Sequence, residues 1–482
     1  MLRKYCLSLH FVCNRAGYRD RPLKTLEEMK SFAEVNESYT LAEAIQEAQR
    51  CLRCKVPQCK QGCPINNDIP DWIHELRKGN LGNAIHIIRA KSNLPAVCGR
   101  VCGHERQCEG ACVLNKSGKH INIGKLERFV ADFDAEAHLT HEDMAPKTRG
   151  CIAVIGSGPA GITVAGDLAR AGFAVEIFEL EPEPGGMLMY GIPEYRLPKE
   201  VVRREIRHIE ELGVIIHCNI HAGLDFTVDD LFARGFDAVF LGIGAGKPGE
   251  LDVPVRVDGS DETMSSANGM LDVRHAANFL RRVMLYRMGL IREDELDVRE
   301  GDSVYIVGCG NTAIDAARSA LRLGAKMVEI VYRKDIERMP ALRSEYEDAI
   351  KEGVRFRWLS QIVEMRVDEA KHLREIVVET ASAGGNEIVR ETLPADRVLM
   401  AVGAKPSTRI ANTTEGLTAD EKGFIPTREL PYGMTSRKGV FAGGDVANRQ
   451  ATVVHAMRDA KMVAEGIAKY VDAIKLLESI NN

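Results

Sequence analysis

No apolar run in this 482-residue chain approaches the roughly 20 residues that a membrane span needs. Nor does one charge dominate. The net charge is −5, which argues against nonspecific nucleic-acid binding. A secretory leader is not expected. The opening "MLRKYCLSLHFVC" has a basic start and a short apolar stretch. His10 interrupts that stretch, and "NRAGYRDR" follows with no small-residue cleavage site. A cytoplasmic protein is expected, with neither membrane nor nucleic acid as partner. A single core is excluded by length, so roughly two to four domains are expected.

Cysteine is what the chain has. There are thirteen, an odd number, and in a reducing compartment they point to metal or redox chemistry rather than disulfides. Eight are gathered at positions 51, 54, 59, 63, 98, 102, 108 and 112. Cys6, Cys13, Cys151, Cys218 and Cys309 are scattered, and isolated cysteines read as small buried hydrophobes. Around the eight, "TLAEAIQEAQRCLRC" reads as a helix with Thr40 as its N-cap. "DIPDWIHELRKGNLGNAIHIIRA" reads as two short helices parted between Gly79 and Gly82. A helical domain is therefore expected over 41–148, behind an unassigned extension over 1–40.

The first four cysteines run C-x2-C-x4-C-x3-C-P. Bacterial ferredoxins use a similar run, in which three cysteines bind one cubane and the fourth binds the other cluster. Pro64 turns the chain away after that fourth position. The second set, C-x3-C-x5-C-x3-C, would hold the rest of a second cluster and return one thiol to the first. The crossing rule gives Cys51, Cys54, Cys59 and Cys112 to one cluster, and Cys63, Cys102 and Cys108 to the other. Spacing alone then puts Cys98 in the eighth position. Zinc is the rival, but zinc sites favour paired C-x2-C knuckles and only one is present.

From residue 151 the character changes. "CIAVIGSGPAGITVAGDLARAGFAVEIFELE" reads as strand, glycine turn, helix and strand. Gly156, Gly158 and Gly161 place the turn where a pyrophosphate meets a helix N-terminus. Glu179 closes the second strand, where a carboxylate can accept ribose hydroxyls. A second copy begins at 303, with Gly308, Gly310 and Ala313 in the three positions. Here Tyr332 takes the place of Glu179, and Arg333 and Lys334 follow. No carboxylate awaits a 2′-hydroxyl, and two cations await a 2′-phosphate. The first site reads as taking a non-phosphorylated dinucleotide and the second as taking NADP(H). The bland alternative is that Arg333 and Lys334 are solvated charges after a strand.

The repeat extends further. "DAVFLGIGA" at 237 is echoed by "DRVLMAVGAKP" at 396, and "GVFAGGD" then leads into a long amphipathic helix. One nucleotide domain inserted in another is expected. The fold class is α/β: an all-α iron–sulfur domain followed by two Rossmann-like domains. Their spans are a first FAD part over 149–285, an NADPH domain over 286–405, and a second FAD part over 406–482.

"GSGPAG", Glu179, "GCGNTA" and "GVFAGGD" resemble the two-dinucleotide-domain flavoprotein disulfide reductase superfamily. With the cysteine sets, "INIGKLERF", "PGGMLMYGIPEYRLPK" and "YRKDIERMPA", the chain resembles the family of the NADPH-dependent glutamate synthase small subunit. It is similar also to the large subunit of NADH-dependent ferredoxin:NADP reductase and to the N-terminal part of dihydropyrimidine dehydrogenase. The resemblance implies FAD on Gly156, Gly158, Pro159, Ala160, Gly161 and Glu179. Gly186 and Arg196 would lie near the flavin, with Gly444 and Asp445 at the ribityl chain. The helix after Ala451 would aim its dipole at the isoalloxazine. NADPH would take Gly308, Gly310, Asn311, Thr312, Arg333 and Lys334. In these relatives a side-chain oxygen from the "INIG" segment completes the second cluster, which here puts Glu127 in place of Cys98.

The resemblance also implies a chemistry. NADPH delivers two electrons at once, a [4Fe–4S] cluster accepts one, and FAD converts between them. No acid or base is needed for the hydride step, so no catalytic side chain is named. A disulfide reductase is not expected, because no C-x-x-C lies outside the N-terminal domain. No amidotransferase is present either. A large protein partner is therefore implied: the glutamate synthase large subunit, or a flavoprotein subunit of a ferredoxin-linked, electron-bifurcating system.

Overall fold

The computed structural model describes residues 30–258, 263–264, 266–267, 270, 272–382, 387–449 and 452–481. Most of the 1–40 extension, with its leader-like start, Cys6 and Cys13, lies outside the described residues, as does Ala451.

The cysteine domain is helical, as expected. Thr40 caps the helix Leu41–Gln49 in a capping box with Glu43. That helix stops before the first cysteine, although the sequence "TLAEAIQEAQRCLRC" suggested continuity. Cys51 to Cys54 lie in irregular backbone, with Arg53 at φ 46°. Helices Ile69–Arg77 and Leu81–Arg89 follow, joined through Gly79 at φ 79°. Helices Pro95–Val101 and Ile123–Ala137 complete the layer. Trp72, Ile73, Leu76, Ile85, Ile88 and Leu126 are almost wholly buried there. Their core runs without a break into that of the first nucleotide-binding unit, through Ile162, Leu168, Val202 and Met457.

Two parallel five-stranded sheets follow, with matching strand order. The first runs Val440–Ala442, Ala238–Leu241, Cys151–Ile155, Ala174–Phe178, Ile215–His217. The second runs Val273–His275, Arg397–Met400, Ser303–Val307, Met327–Tyr332, Arg355–Trp358. In the first sheet the edge strand comes last in the chain. In the second it comes first. One unit is thus inserted in the other. The insertion starts earlier than the 285/286 boundary read from sequence. Strand Val273–His275 pairs with Arg397–Met400, and helix Ala276–Arg287 packs largely into the second core. Near the exit, Ala404–Lys405 pairs with Lys247–Pro248, so the chain crosses between the units as a two-stranded ribbon.

A third sheet was not anticipated. Ser360–Val367, Leu373–Ala381 and Ile388–Pro394 form an antiparallel meander, extended by Val255–Val257 and Thr263–Met264. Its inner face, through Val255, Met365 and Ile376, covers Tyr305, Val331 and Val398 of the second sheet. No helix among the described residues is long and apolar enough to cross a membrane.

Candidate functional site

Each nucleotide site begins where a central strand ends. After Cys151–Ile155 the backbone turns at Gly156, φ +95°, where a Cβ would stand 2.7 Å from the Gly242 carbonyl oxygen. A Cβ on Gly161 would stand 1.9 Å from the Gly156 oxygen, so no larger residue fits. Gly158 has open space above it and caps the helix Pro159–Arg170. That is the cradle a phosphate needs: free N–H groups at a helix start, unobstructed.

Two distant segments close on this loop. A Cβ on Gly186 would lie 2.9 Å from Gly158 Cα, and one on Gly444 would lie 2.9 Å from Ala160 Cβ. Gly444 also faces Ala456 in the first turn of the helix Val453–Asn481. The Glu179 carboxylate accepts from the Ser157 N–H at 2.8 Å, the Ser157 hydroxyl at 2.5 Å and the Glu181 N–H at 2.8 Å. Asp445 sits beside Gly444, its carboxyl pushed up to about 6 by burial and by Asp459.

The second loop repeats the first. Gly308, φ +111°, faces the Ala401 oxygen, 2.5 Å from where a Cβ would stand. Gly310 has open space and caps the helix Asn311–Arg322, with Ala313 buried at the third position. The ladder fixes the equivalence. Gly156 N–H donates to Phe178 O at 2.9 Å, and Gly308 N–H to Val331 O at 3.1 Å. The next residues are Glu179 and Tyr332, so the tyrosine does stand where the acid was. Arg333 and Lys334 come next, exposed, with no ion pair among the described residues. Asn311 Oδ1 accepts the Leu342 N–H at 2.9 Å, and Thr312 is exposed at the helix start.

Arg196 has another engagement. Its guanidinium is buried against Asp315 at 2.7 Å and Glu345 at 2.8 Å, both in the second unit. Tyr195 beside it donates to the Asp315 carbonyl at 3.1 Å. The segment expected at the flavin is thus tied across the interface between the two nucleotide units.

The eight cysteines converge on two pockets. Cys51, Cys54, Cys59 and Cys112 line the first, together with Leu52 and Ile123. Cys63, Cys102, Cys108, Cys98 and Glu127 line the second. Burial pushes the Cys59 and Cys63 thiols up to about 11, and raises Cys108 as well. Thiolates crowded in such pockets need a cationic group to offset them, so these donors fit metal clusters. Among the described residues no three Cys, His, Asp or Glu donors pinch together around one ion. A tetrahedral zinc site would hold its sulfurs roughly 3.8 Å apart, from Zn–S bonds of about 2.3 Å.

Both contenders for the eighth position face the second pocket. Glu127 is buried, and its carboxyl is pushed up to about 8 by burial and by Glu205. Its carboxylate makes no hydrogen bond or ion pair among the described residues. Cys98 lies 3.8 Å from the Ser92 hydroxyl and 3.7 Å from Met457 Sδ. Sequence reading missed His104, two residues beyond Cys102, and also Val454 and Met457, which meet these groups from far along the chain. No local pattern marks them.

The chain is similar to known proteins over most of its length. The family model for dihydropyrimidine dehydrogenase domain II, 4Fe-4S cluster, matches residues 28–139, and that for pyridine nucleotide-disulphide oxidoreductase matches residues 151–460. The glutamate synthase (NADPH) small chain of Halomonas elongata is 36% identical, across 94% of this chain and 95% of that one. The Escherichia coli protein of that name is 33% identical, across 94% and 97%. The NAD-dependent dihydropyrimidine dehydrogenase subunit PreT of Escherichia coli is 31% identical, across 91% and 97%. Mycobacterium tuberculosis FprA in complex with NADPH shares the fold, with a TM-score of 0.53 at 20% identity, over 68% of this chain and 85% of that one. The chain belongs to the pyridine nucleotide-disulphide oxidoreductase family, among the glutamate synthase small chains and their relatives, and is an NAD(P)H-dependent flavin and iron–sulfur oxidoreductase.

Proposed function

We propose that this chain is an electron-input subunit, taking electrons from NADPH and passing them through FAD and two [4Fe–4S] clusters to a large partner. One observation carries the reading. The helix Val453–Asn481 touches both sites with its first turns. Ala456 abuts Gly444 at the first glycine loop, while Val454 lines the second cysteine pocket and Met457 touches Cys98. Van der Waals contact along one helix leaves a short path between them.

Bound FAD supplies the conversion between a two-electron donor and one-electron acceptors. The chain's own residues do the rest. Gly156, Gly158, Pro159, Ala160 and Gly161 would seat its pyrophosphate, Glu179 its ribose, and Gly186, Gly444 and Asp445 would close over it. Arg196 would hold that closing segment to the second unit through Asp315. Gly308, Gly310, Asn311 and Thr312 would seat NADPH, with Arg333 and Lys334 on its 2′-phosphate. Cys51, Cys54, Cys59 and Cys112 would bind one cluster, and Cys63, Cys102, Cys108 and Glu127 the other. A cytoplasmic setting, where thiols stay reduced, suits such a set.

The similarity to glutamate synthase small chains favours the large subunit of that enzyme as partner. Affinity purification of the tagged chain from its native cells, with mass identification of what co-elutes, tests it. A glutamate synthase large chain is the expected companion. A ferredoxin-linked flavoprotein recovered in its place would replace that assignment. A chain that reduces dyes with NADPH supports the enzyme reading, and one that binds both cofactors without reducing any acceptor overturns it.

A further inference from the structure

Strand Val440–Ala442 runs into Gly443, Gly444 and Asp445, the loop that meets Ala160 of the first glycine turn. Asp459 holds this loop from behind. It is buried on the helix Val453–Asn481, one turn beyond Ala456. Its Oδ2 accepts the Gly444 N–H at 2.6 Å, and its Oδ1 accepts the Tyr432 hydroxyl at 2.9 Å. Both oxygens are acceptors, as in an ionised carboxylate. The fit is close. A Cβ on Gly443 would stand 3.0 Å from Oδ2 and 3.2 Å from both Phe240 and Val463. A Cβ on Gly466, in the same helix, would strike the Tyr432 carbonyl oxygen, so the tyrosine is pinned as well. No cation pairs with Asp459 among the described residues. A buried carboxylate without a cation is costly, and two hydrogen bonds offset only part of that cost. An amide could bridge the same two groups with no charge at all.

We propose that Asp459 is a positioning residue for the flavin: it clamps the Gly443–Asp445 loop to the helix, and its unpaired charge lowers the reduction potential of the flavin seated there. This rests on the FAD reading above. Reduction adds negative charge to a flavin, and a fixed anion in a poorly solvated wall opposes that. The charge of Asp459 already reaches the end of the loop, since the Asp445 carboxyl is pushed up by burial first and by Asp459 second. A lower potential makes the reduced cofactor a stronger donor to the clusters.

The test uses the full-length protein with its clusters assembled. The readouts are the FAD dissociation constant and the flavin potential, the latter from a reductive titration followed at the flavin absorbance band. Asp459→Asn keeps an acceptor for Gly444 but no charge. It should hold FAD as the parent does and show a higher flavin potential. Asp459→Ala removes the clamp too, leaves the Gly444 N–H unmet, and should weaken FAD binding roughly tenfold or more. An unchanged potential in FAD-replete Asp459→Asn overturns the proposal, because a scaffold residue would lower Tm without moving it. FAD held as tightly by Asp459→Ala as by the parent overturns it as well. If Asp459→Ala does not fold, the potential of Asp459→Asn decides alone. A parent protein that binds no FAD defeats the cofactor reading itself, and this proposal with it.

Discussion

Glu105 and Arg343 are 238 residues apart in the chain, yet the Glu105 carboxylate accepts the Arg343 backbone N–H at 2.7 Å. Its other oxygen takes the Ser344 N–H at 3.3 Å. An acid of the cysteine domain thus caps the helix Arg343–Lys351 of the second nucleotide unit. Arg106 donates to Pro340 O at 2.8 Å and Ala341 O at 2.5 Å. The far side of this segment holds the glycine loop, through Leu342 N–H on Asn311 and Ala341 N–H on Cys309 O. Loss of such a cap costs about 1 kcal/mol. Glu105→Ala should therefore lower Tm slightly while raising the KM for NADPH severalfold, with iron content unchanged. A KM equal to that of the parent would make the contact scaffold alone.

Coenzyme choice should follow Arg333 and Lys334. Both are exposed and lack ion-pair partners among the described residues, so they are available to a phosphate. Replacing both with neutral residues should raise the KM for NADPH roughly ten- to hundredfold, since charge-assisted contacts contribute a few kcal/mol. The KM for NADH should barely move. Steady-state kinetics with each coenzyme checks it, and equal effects on both would reduce the pair to surface charge.

Metal analysis should find about eight iron and eight labile sulfide per chain, as two cubanes require. Cys98→Ala should keep both clusters, because on this reading Glu127 fills the eighth position. Glu127→Ala should lose or alter one. Half the iron lost on Cys98→Ala, with an unchanged spectrum for Glu127→Ala, would restore the all-cysteine count. Zinc in place of iron after anaerobic purification would remove the cluster assignment altogether.

Lys199 carries a pH signature. It is buried, and its ammonium donates to Leu188 O at 2.9 Å and Ile192 O at 2.5 Å. Burial pushes it down to about 7, against the pull of Glu194 and Asp315. In the unfolded chain a lysine keeps its proton to about 10.4. Between those values the unfolded state binds the extra proton, so this group's contribution to stability rises with pH. The Tm of the parent minus that of Lys199→Met should therefore climb from pH 7 towards pH 10. A flat difference would mean that Lys199 titrates as if in water.

The parts legible in the sequence are those that local chemistry dictates. Gly156 and Gly308 are required by a positive φ and a carbonyl pressed against them, and Thr40 by the amides of its own helix. Spacing alone also grouped Cys51, Cys54, Cys59 and Cys112, which meet in one pocket. What was hidden depends on distant chain. Val273–His275 is a strand of only three residues, too short to show alternation, and becomes one by pairing with Arg397–Met400. The cysteine helix was read too long because "QRCLRC" favours helix locally, while the pocket needs Cys51 and Cys54 in irregular backbone. Met457 meets Cys98 across 359 residues, and no window of sequence contains both.

The strand order has a consequence for synthesis on the ribosome. Ala238–Leu241 takes its outer neighbour, Val440–Ala442, only about two hundred residues later. Until then that edge of the first sheet offers unpaired N–H and C=O groups, a template for wrong partners. The inserted unit, by contrast, has its five strands complete once Arg397–Met400 has emerged. Domains generally fold as units while the chain is made. The nascent protein is thus expected to finish its middle before its beginning, and to need shelter for one open edge until the last helix arrives.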